Sequence, residues 1–399
     1  MKLFKFAMEG RLLRKLIDEI VELIDRMNQF LVYLFYAMLN QTDNKKIMLF
    51  TSRGTYDCNP SFIADELLKK GEFKLIWAVN ESSSIDVEQY PEGLTLVRYG
   101  SLEYYKQTAT SRIWIDNAMN TVYTIPYKKK DQILIQTWHG SIGLKRFDTN
   151  SDKKWIKKAK KSAGWTDYII SNSSFESKLY RDTFWKDTKI LEFGHPRNDI
   201  FYDEGISESR GNKAIKSLGL KKDVKYCIYA PTFRDSKGSV PYRLDFESVK
   251  QALEKRFGGK WKIIVRMHFQ TGLSFKSNSA DVIDASSYAN IQDILAVCDA
   301  GITDYSCWIC DYVLTKKPAF FYCPDYNSYL SERGFLYPLE STPFPISKNN
   351  SELVDNIENF DLNNYQKQCT SFIQEKGCID DGFASKRTAD FIDQILNEK

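Results

Sequence analysis

The chain has 399 residues, more than one ordinary domain needs and enough for two with separate cores. Its 43% hydrophobic content is that of a soluble protein, while its 14% aromatic content is high. A net charge of only +4 excludes polyanion binding by bulk charge, so any anion site has to be built locally. The eight cysteines form no compact secreted framework and no segment carries a signal-peptide cleavage pattern, so reduced thiols are expected.

In chain order, residues 1–43 read as helix. Leu12, Leu13, Leu16, Ile17, Ile20, Leu23, Ile24 and Met27 recur at helical spacing, with Arg11, Arg14, Lys15, Glu19 and Glu22 opposite. The apolar run from Phe30 to Leu39 is short of the roughly 20 residues that span a bilayer. Two readings stand: a helix lying in a membrane interface, or one docked on the protein's own core. From Lys45 the pattern becomes strand–helix alternation. Strands are expected at Lys46–Thr51, Lys74–Val79, Thr95–Val97, Ile113–Ile115, Gln132–Thr137, Tyr168–Ser171 and Ile190–Phe193, with a helix over Pro60–Lys70. The polar run Arg197–Leu220 reads as an interdomain linker. Alternation then restarts, with strands at Lys225–Ala230, Lys262–Met267, Val282–Ile283, Ala300–Thr303 and Ala319–Tyr322. Helices are expected over Asp245–Phe257, Ile291–Val297, Ser306–Leu314 and from Asn364 onward. The expected fold is α/β, with a helical extension (1–43), one Rossmann-like domain (44–205) and a second (206–399) facing each other across a cleft.

All three histidines lie in short polar motifs after apolar runs. His139, followed by Gly140, ends a predicted strand, where a ring nitrogen is exposed as a general base; a core histidine satisfied by backbone is the alternative. His195 sits in Gly194-His195-Pro196-Arg197-Asn198-Asp199, and His268 ends the strand that carries Arg266. Thr303, Tyr305 and Ser306 offer hydroxyls between a predicted strand and helix, which suits phosphate but also plain N-capping. With Thr232 and Arg234 after Ala230, and Arg266 with His268, one lobe presents polar or cationic groups at three strand ends. That is the footprint of a nucleotide diphosphate. Asp304 and Asp311 lack a third carboxylate, so a structural or ribose-contacting role is expected before a metal. Cys307 and Cys310 form a lone CxxC and are expected to pack as free thiols. The basic run Lys153–Lys161, with Lys153, Lys154, Trp155, Lys157 and Lys158, is either a solvated helix face or a contact for anionic lipid. Lys128, Lys129 and Lys130 lie near it in sequence, and no nucleic-acid-binding pattern accompanies them.

Taken together, Gln136-Thr137-Trp138-His139-Gly140, Gly194–Asp199, Tyr229–Asp235, Arg266-Met267-His268, Ile302–Ser306 and Lys317-Pro318 follow one another in a recognisable order. On these motifs, between about Ile47 and Tyr337, the chain resembles the CDP-glycerol glycerophosphotransferase family, which includes teichoic-acid primases and polymerases. The family usually has Tyr at the place of His195, Pro at Phe269 and often a second Ser at Cys307. The resemblance implies a GT-B fold, His139 as base toward the acceptor hydroxyl, His268 on the donor pyrophosphate, and Thr303, Asp304 and Ser306 lining the donor pocket. Gly140, Arg197, Asn198 and Asp311 would support the cleft. It also implies a CDP-glycerol or related CDP-polyol donor and a polymer or lipid-linked acceptor. No cofactor or essential metal is expected, and the enzyme would sit peripherally on the cytoplasmic face of a bacterial membrane. A sugar-nucleotide GT-B glycosyltransferase and a non-catalytic membrane- or polyanion-binding protein are the alternatives.

Overall fold

A computed structural model describes residues 20–21, 24–25, 27–80, 87–146, 153–232, 244–267, 279–332 and 334–397. Helix α1 occupies 27–39 and is helical also at 20, 21, 24 and 25. The first unit follows as β1 (Asp43–Phe50), α2 (Cys58–Lys70), β2 (Lys74–Val79), β3 (Leu94–Arg98), α3 (Leu102–Thr110), β4 (Ser111–Asp116), α4 (Asn120–Thr124), β5 (Ile133–Gln136), α5 (Lys153–Trp165), β6 (Tyr168–Ser171), α6 (Ser174–Asp182) and β7 (Lys189–Glu192). A 3-10 turn (Pro196–Phe201) and α7 (Glu204–Leu218) lead onward. The second unit comprises β8 (Lys225–Tyr229), α8 (Phe246–Phe257), β9 (Trp261–Val265), β10 (Val282–Asp284), α9 (Ile291–Val297), β11 (Ala300–Thr303), α10 (Trp308–Tyr312), β12 (Ala319–Tyr322), α11 (Tyr326–Glu332), β13 (Ile346–Ser347), α12 (Asn350–Glu358), α13 (Leu362–Glu375) and α14 (Ala384–Asn397).

Both sheets are parallel among the described residues, ordered β3-β2-β1-β4-β5-β6-β7 and β10-β9-β8-β11-β12-β13. The strand order reverses between β1 and β4 and again between β8 and β11. Such reversals open a crevice at the carboxyl ends of the strands, where ligands bind in doubly wound sheets. β1 shows why the sheet is buried on both faces. Its side chains alternate, so Ile47 and Leu49 pack with Leu67 of α2 and Ile392 of α14, while Met48 and Phe50 pack with Tyr33 of α1 and Tyr104 of α3. Each such fully buried side chain contributes about 1.5–3 kcal/mol.

One expectation needs correction. The stretch Arg197–Leu220 is not a linker: Pro196–Ile200 is buried and α7 is a regular helix capped by Asp203 and ended by Gly219 in the left-handed region. It looks loop-like in sequence because only Arg210, Gly211 and Ala214 of α7 are buried, which leaves most of its surface polar. The tail from Asn364 is helical as expected, in two pieces, α13 and then α14, which returns to the first sheet where Ala389 and Ile392 join its core. The strand β13 and the helix α12 were not anticipated.

Candidate active site

His139 sits in the turn after β5, open to solvent at the cleft. The turn is shaped by an unusual residue, since Trp138 has φ +48°, a left-handed conformation rare for a bulky side chain. Three groups hold it there. Gln136 Oε1 accepts the Trp138 N–H at 2.8 Å, and the Asn59 amide donates to the Thr137 and Trp138 carbonyls at 3.1 and 3.3 Å. The Trp138 ring packs on Trp185 and stacks on His139 with centroids 4.8 Å apart. His139 Nδ1 lies 2.7 Å from the Asn117 carbonyl, just past β4. A carbonyl only accepts, so Nδ1 carries the proton and Nε2 is left with its lone pair. Crowding by the two lobes disfavours the imidazolium, and the Arg197 and Lys145 charges add to this. The pKa is therefore held below the usual histidine value, against the opposing pull of Asn117 and Asp57. Burial and the neighbouring cations both favour the neutral ring.

Across the cleft, at the ends of β8 and β11, the Thr232 N–H donates to Asp304 Oδ1 at 2.8 Å. Asp304 also accepts from the Tyr305 N–H, so it organises backbone. Thr303 is buried, with its hydroxyl donating to the Ala230 carbonyl, and Tyr305 donates to Asp325 and stacks on Tyr329. Of the three hydroxyls in the motif, Ser306 is the one left half-exposed at the surface. Gly301 lets Trp308 close the floor, because a Cβ there would stand 2.7 Å from the indole. Arg234 and His268 lie outside the described residues. Arg266 donates to the Tyr288 and Ala289 carbonyls, and Arg53 from the loop after β1 donates to the same Ala289 carbonyl at 2.6 Å. Desolvation and then the Arg53 charge push the Arg266 pKa down to about 9. Two arginines thus meet in this seam between the lobes, with Asp57 paired to Arg53 at 2.9 Å.

Arg197 ties the halves together. Its guanidinium bonds Asp311 at 2.8 Å and reaches the Gly140 carbonyl, while its N–H donates to Asn59. Asp311 is therefore the buried partner of Arg197, in line with the structural alternative expected for it. Asn198 is fully buried, its N–H on the His195 carbonyl. His195 is also buried and lies 2.9 Å from Glu176, away from solvent. Cys310 is buried, Cys307 is half-buried, and both are free thiols. Sequence reasoning missed Arg53, Asn59, Asn117 and Lys145. Asn117 and Asn59 carry no local signal, whereas Lys145 was in reach, six residues past His139 in the same loop.

A second surface lies outside the cleft. Tyr33 and Ala37 dock α1 on the first sheet, yet the opposite stripe of Ile20, Ile24, Met27, Leu31, Phe35 and Met38 is 48–75% exposed. Lys129 donates to the Asn40 carbonyl at the end of this helix. In α5, Lys153, Lys154 and Lys157 are exposed, but Trp155 packs on Phe184 and Lys158 lies 3.4 Å over the Tyr123 ring. Those two are turned to the protein's own aromatic cluster and leave the outward face to the other lysines. No helix among the described residues is long and apolar enough to cross a membrane.

Two parallel Rossmann-like sheets, with their switch points facing across a cleft and a neutral histidine on one wall, define a GT-B-like transferase. The chain belongs to the CDP-glycerol:poly(glycerophosphate) glycerophosphotransferase family, whose profile matches residues 33–394. It is 28% identical to a teichoic acid glycerol-phosphate transferase of Staphylococcus aureus, over 91% of this chain and 97% of that protein. It is 29% identical to a teichoic acid poly(glycerol phosphate) polymerase of Staphylococcus epidermidis, of which it spans only 53%. The solved wall teichoic acid polymerase TagF superposes with a TM-score of 0.79 at 28% identity, covering 96% of this chain and 98% of that one.

Proposed function

We propose that the chain transfers a polyol phosphate, glycerol phosphate first, from a CDP-linked donor to an acceptor hydroxyl with release of CMP, in synthesis of a teichoic-acid or capsule-type polymer. The observation that carries this is His139, oriented by Asn117 so that Nε2 is a free base at a cleft whose far wall holds Thr232, Asp304 and Ser306. His139 takes the acceptor proton, while Thr232, Ser306 and Arg266, joined by Arg234 and His268, receive the donor diphosphate. Thr303 and Asp304 shape that pocket from behind, and Arg197, Asn198, Asp311 and Gly140 keep the His139 turn in register. Most of the rate then comes from positioning and charge neutralisation. The enzyme works at the cytoplasmic face of the membrane, held by the exposed stripe of α1 with Lys153, Lys154 and Lys157, where a lipid-linked acceptor is presented. The test is a panel of CDP-alcohols with candidate acceptors. CMP release coupled to phosphodiester formation supports the reading. Release of a nucleoside diphosphate from a sugar nucleotide replaces it with glycosyl transfer, and no turnover with any donor leaves a binding protein.

A further inference from the structure

The His139 turn is bracketed by two residues in the left-handed region, Trp138 at φ +48° and Gly143 at φ +49°. Ahead of His139 it is held by Gln136 and Asn59. Behind it, residues 140–144 form neither helix nor strand, so their course depends on side-chain contacts. Arg197 takes the Gly140 carbonyl, and the next residue, Ser141, is buried with its hydroxyl accepting from Asn172 Nδ2 at 3.1 Å. We infer that Asn172 is a positioning residue for the base, clamping the exit of the His139 turn to residues 376–380, where the chain crosses between lobes. This rests on the transferase reading above.

Asn172 follows β6, whose parallel pairing with β5 brings the two loops out at neighbouring strand ends. Its backbone is already committed. The N–H donates to Glu176 at 3.0 Å, the carbonyl accepts from the Ile379 N–H at 2.9 Å, and Ser173 bridges Cys378. The side-chain NH2 has one hydrogen for each of two acceptors, Ser141 Oγ and, at 2.8 Å, Asp380 Oδ2. Asp380 Oδ1 in turn accepts the His195 N–H at 2.8 Å. An ionised carboxylate only accepts, so Asp380 fixes which end of the amide faces Ser141. The amide oxygen is buried and accepts no hydrogen bond, so the donors alone account for an Asn here. Residues 376–380 leave α13, whose Tyr365, Cys369 and Phe372 pack in the second core. They lead to α14, whose Ala389 and Ile392 pack in the first. The clamp therefore ties the aim of His139 to the seating of this crossover. Asn172 acts through Ser141, two residues from the base.

Imidazole nitrogen spectra of the full chain, recorded beside CMP release from CDP-glycerol, test this. With three histidines in the chain, the His139 signals are assigned by their loss in His139→Ala. The wild type is expected to show the Nδ1–H tautomer set by Asn117. Asn172→Ala should give a mixture of both tautomers, since a loosened turn frees Nδ1 from that carbonyl. The kcat should fall roughly 10- to 100-fold, as for a small misplacement of a reacting group, with KM for the donor and CDP affinity unchanged. Asn172→Asp sets two carboxylates together and should be no better. Adding Asp380→Asn to it rebuilds the pair in the opposite sense, with Ser141 then donating, and should recover turnover and the Nδ1–H tautomer. A role in stability alone moves Tm but not the tautomer. If Asn172→Ala fails to fold by near-UV circular dichroism, Ser141→Ala, which removes one hydroxyl, carries the same comparison. An unchanged His139 tautomer in the Ala variant, or a double variant no faster than Asn172→Asp, overturns the assignment. A wild type that releases no CMP overturns the transferase reading instead, and the tautomer comparison still decides the clamp.

Discussion

Which nitrogen of a neutral histidine carries the proton is set by its partners, and at His139 the Asn117 carbonyl fixes it on Nδ1. The Asn117 contact and the stacked Trp138 leave His139 little rotational freedom. His139→Ala is expected to lower turnover by roughly 10²–10⁴-fold while CDP affinity stays nearly unchanged, because the nucleotide is placed on the other lobe. Turnover above about a tenth of wild type would remove the base assignment. The pH profile has a definite sign. The pKa of His139 lies below the ordinary value, and only the neutral ring accepts a proton. Activity should therefore hold as pH falls through the usual histidine range and decline only below it. Ser306→Ala should weaken CDP, and unchanged calorimetric affinity would move the diphosphate elsewhere. His139 and Ser306 stand out in the sequence because each follows a buried strand within a polar motif. Asn117 and Arg53 were not, since their meaning depends on a partner from a distant segment, the His139 ring and the Ala289 carbonyl.

At the scale of elements, β2, β6, β11 and β12 have the bounds the sequence predicts, because a short apolar run between turn residues admits few other structures. Alternation and dense burial made the parallel sheets readable. The segment after β7 was misread for a physical reason: its buried arginines and Asp199 are satisfied by remote groups. Arg197 finds Asp311, and Arg210 lies between Asp65 of α2 and Asp293 of α9, while stacking on Phe62. Asp199 receives the N–H groups of Ala384 and Ser385 at 3.0 and 2.8 Å, and so caps α14 from another part of the chain. Local capping signals were present in Asp203 and Gly219, but composition outweighed them. Asp199→Ala should leave buried donors unsatisfied and cost about 1–3 kcal/mol, read as a lower urea midpoint. An unchanged midpoint would mean that α14 is held by Ala389 and Ile392 packing alone.

At the scale of the whole molecule, the reading proposed above gives chemistry to the cleft and placement to the exposed stripe of α1. α1 uses one face to complete the core through Tyr33, as the docked-helix reading of residues 1–43 expected, and leaves the other face apolar and exposed. A solvent-exposed row of six large apolar side chains carries a hydration cost that a lipid interface removes. Lysines near an anionic surface add about 1 kcal/mol each. Replacing Lys153, Lys154 and Lys157 by Gln should therefore weaken sedimentation with phosphatidylglycerol vesicles by roughly 100-fold. The loss should shrink at high salt, where the Debye length is only about 3 Å. Leu31→Glu with Phe35→Glu should abolish vesicle binding regardless of lipid charge, since both side chains point outward and their loss leaves the Tyr33 face intact. Both variants should keep wild-type turnover on a short soluble acceptor and lose it on a lipid-linked one. If the wild-type protein ignores anionic vesicles, or if the Glu variant still binds them, the stripe is not a membrane contact and placement at the lipid surface has to come from another part of the chain.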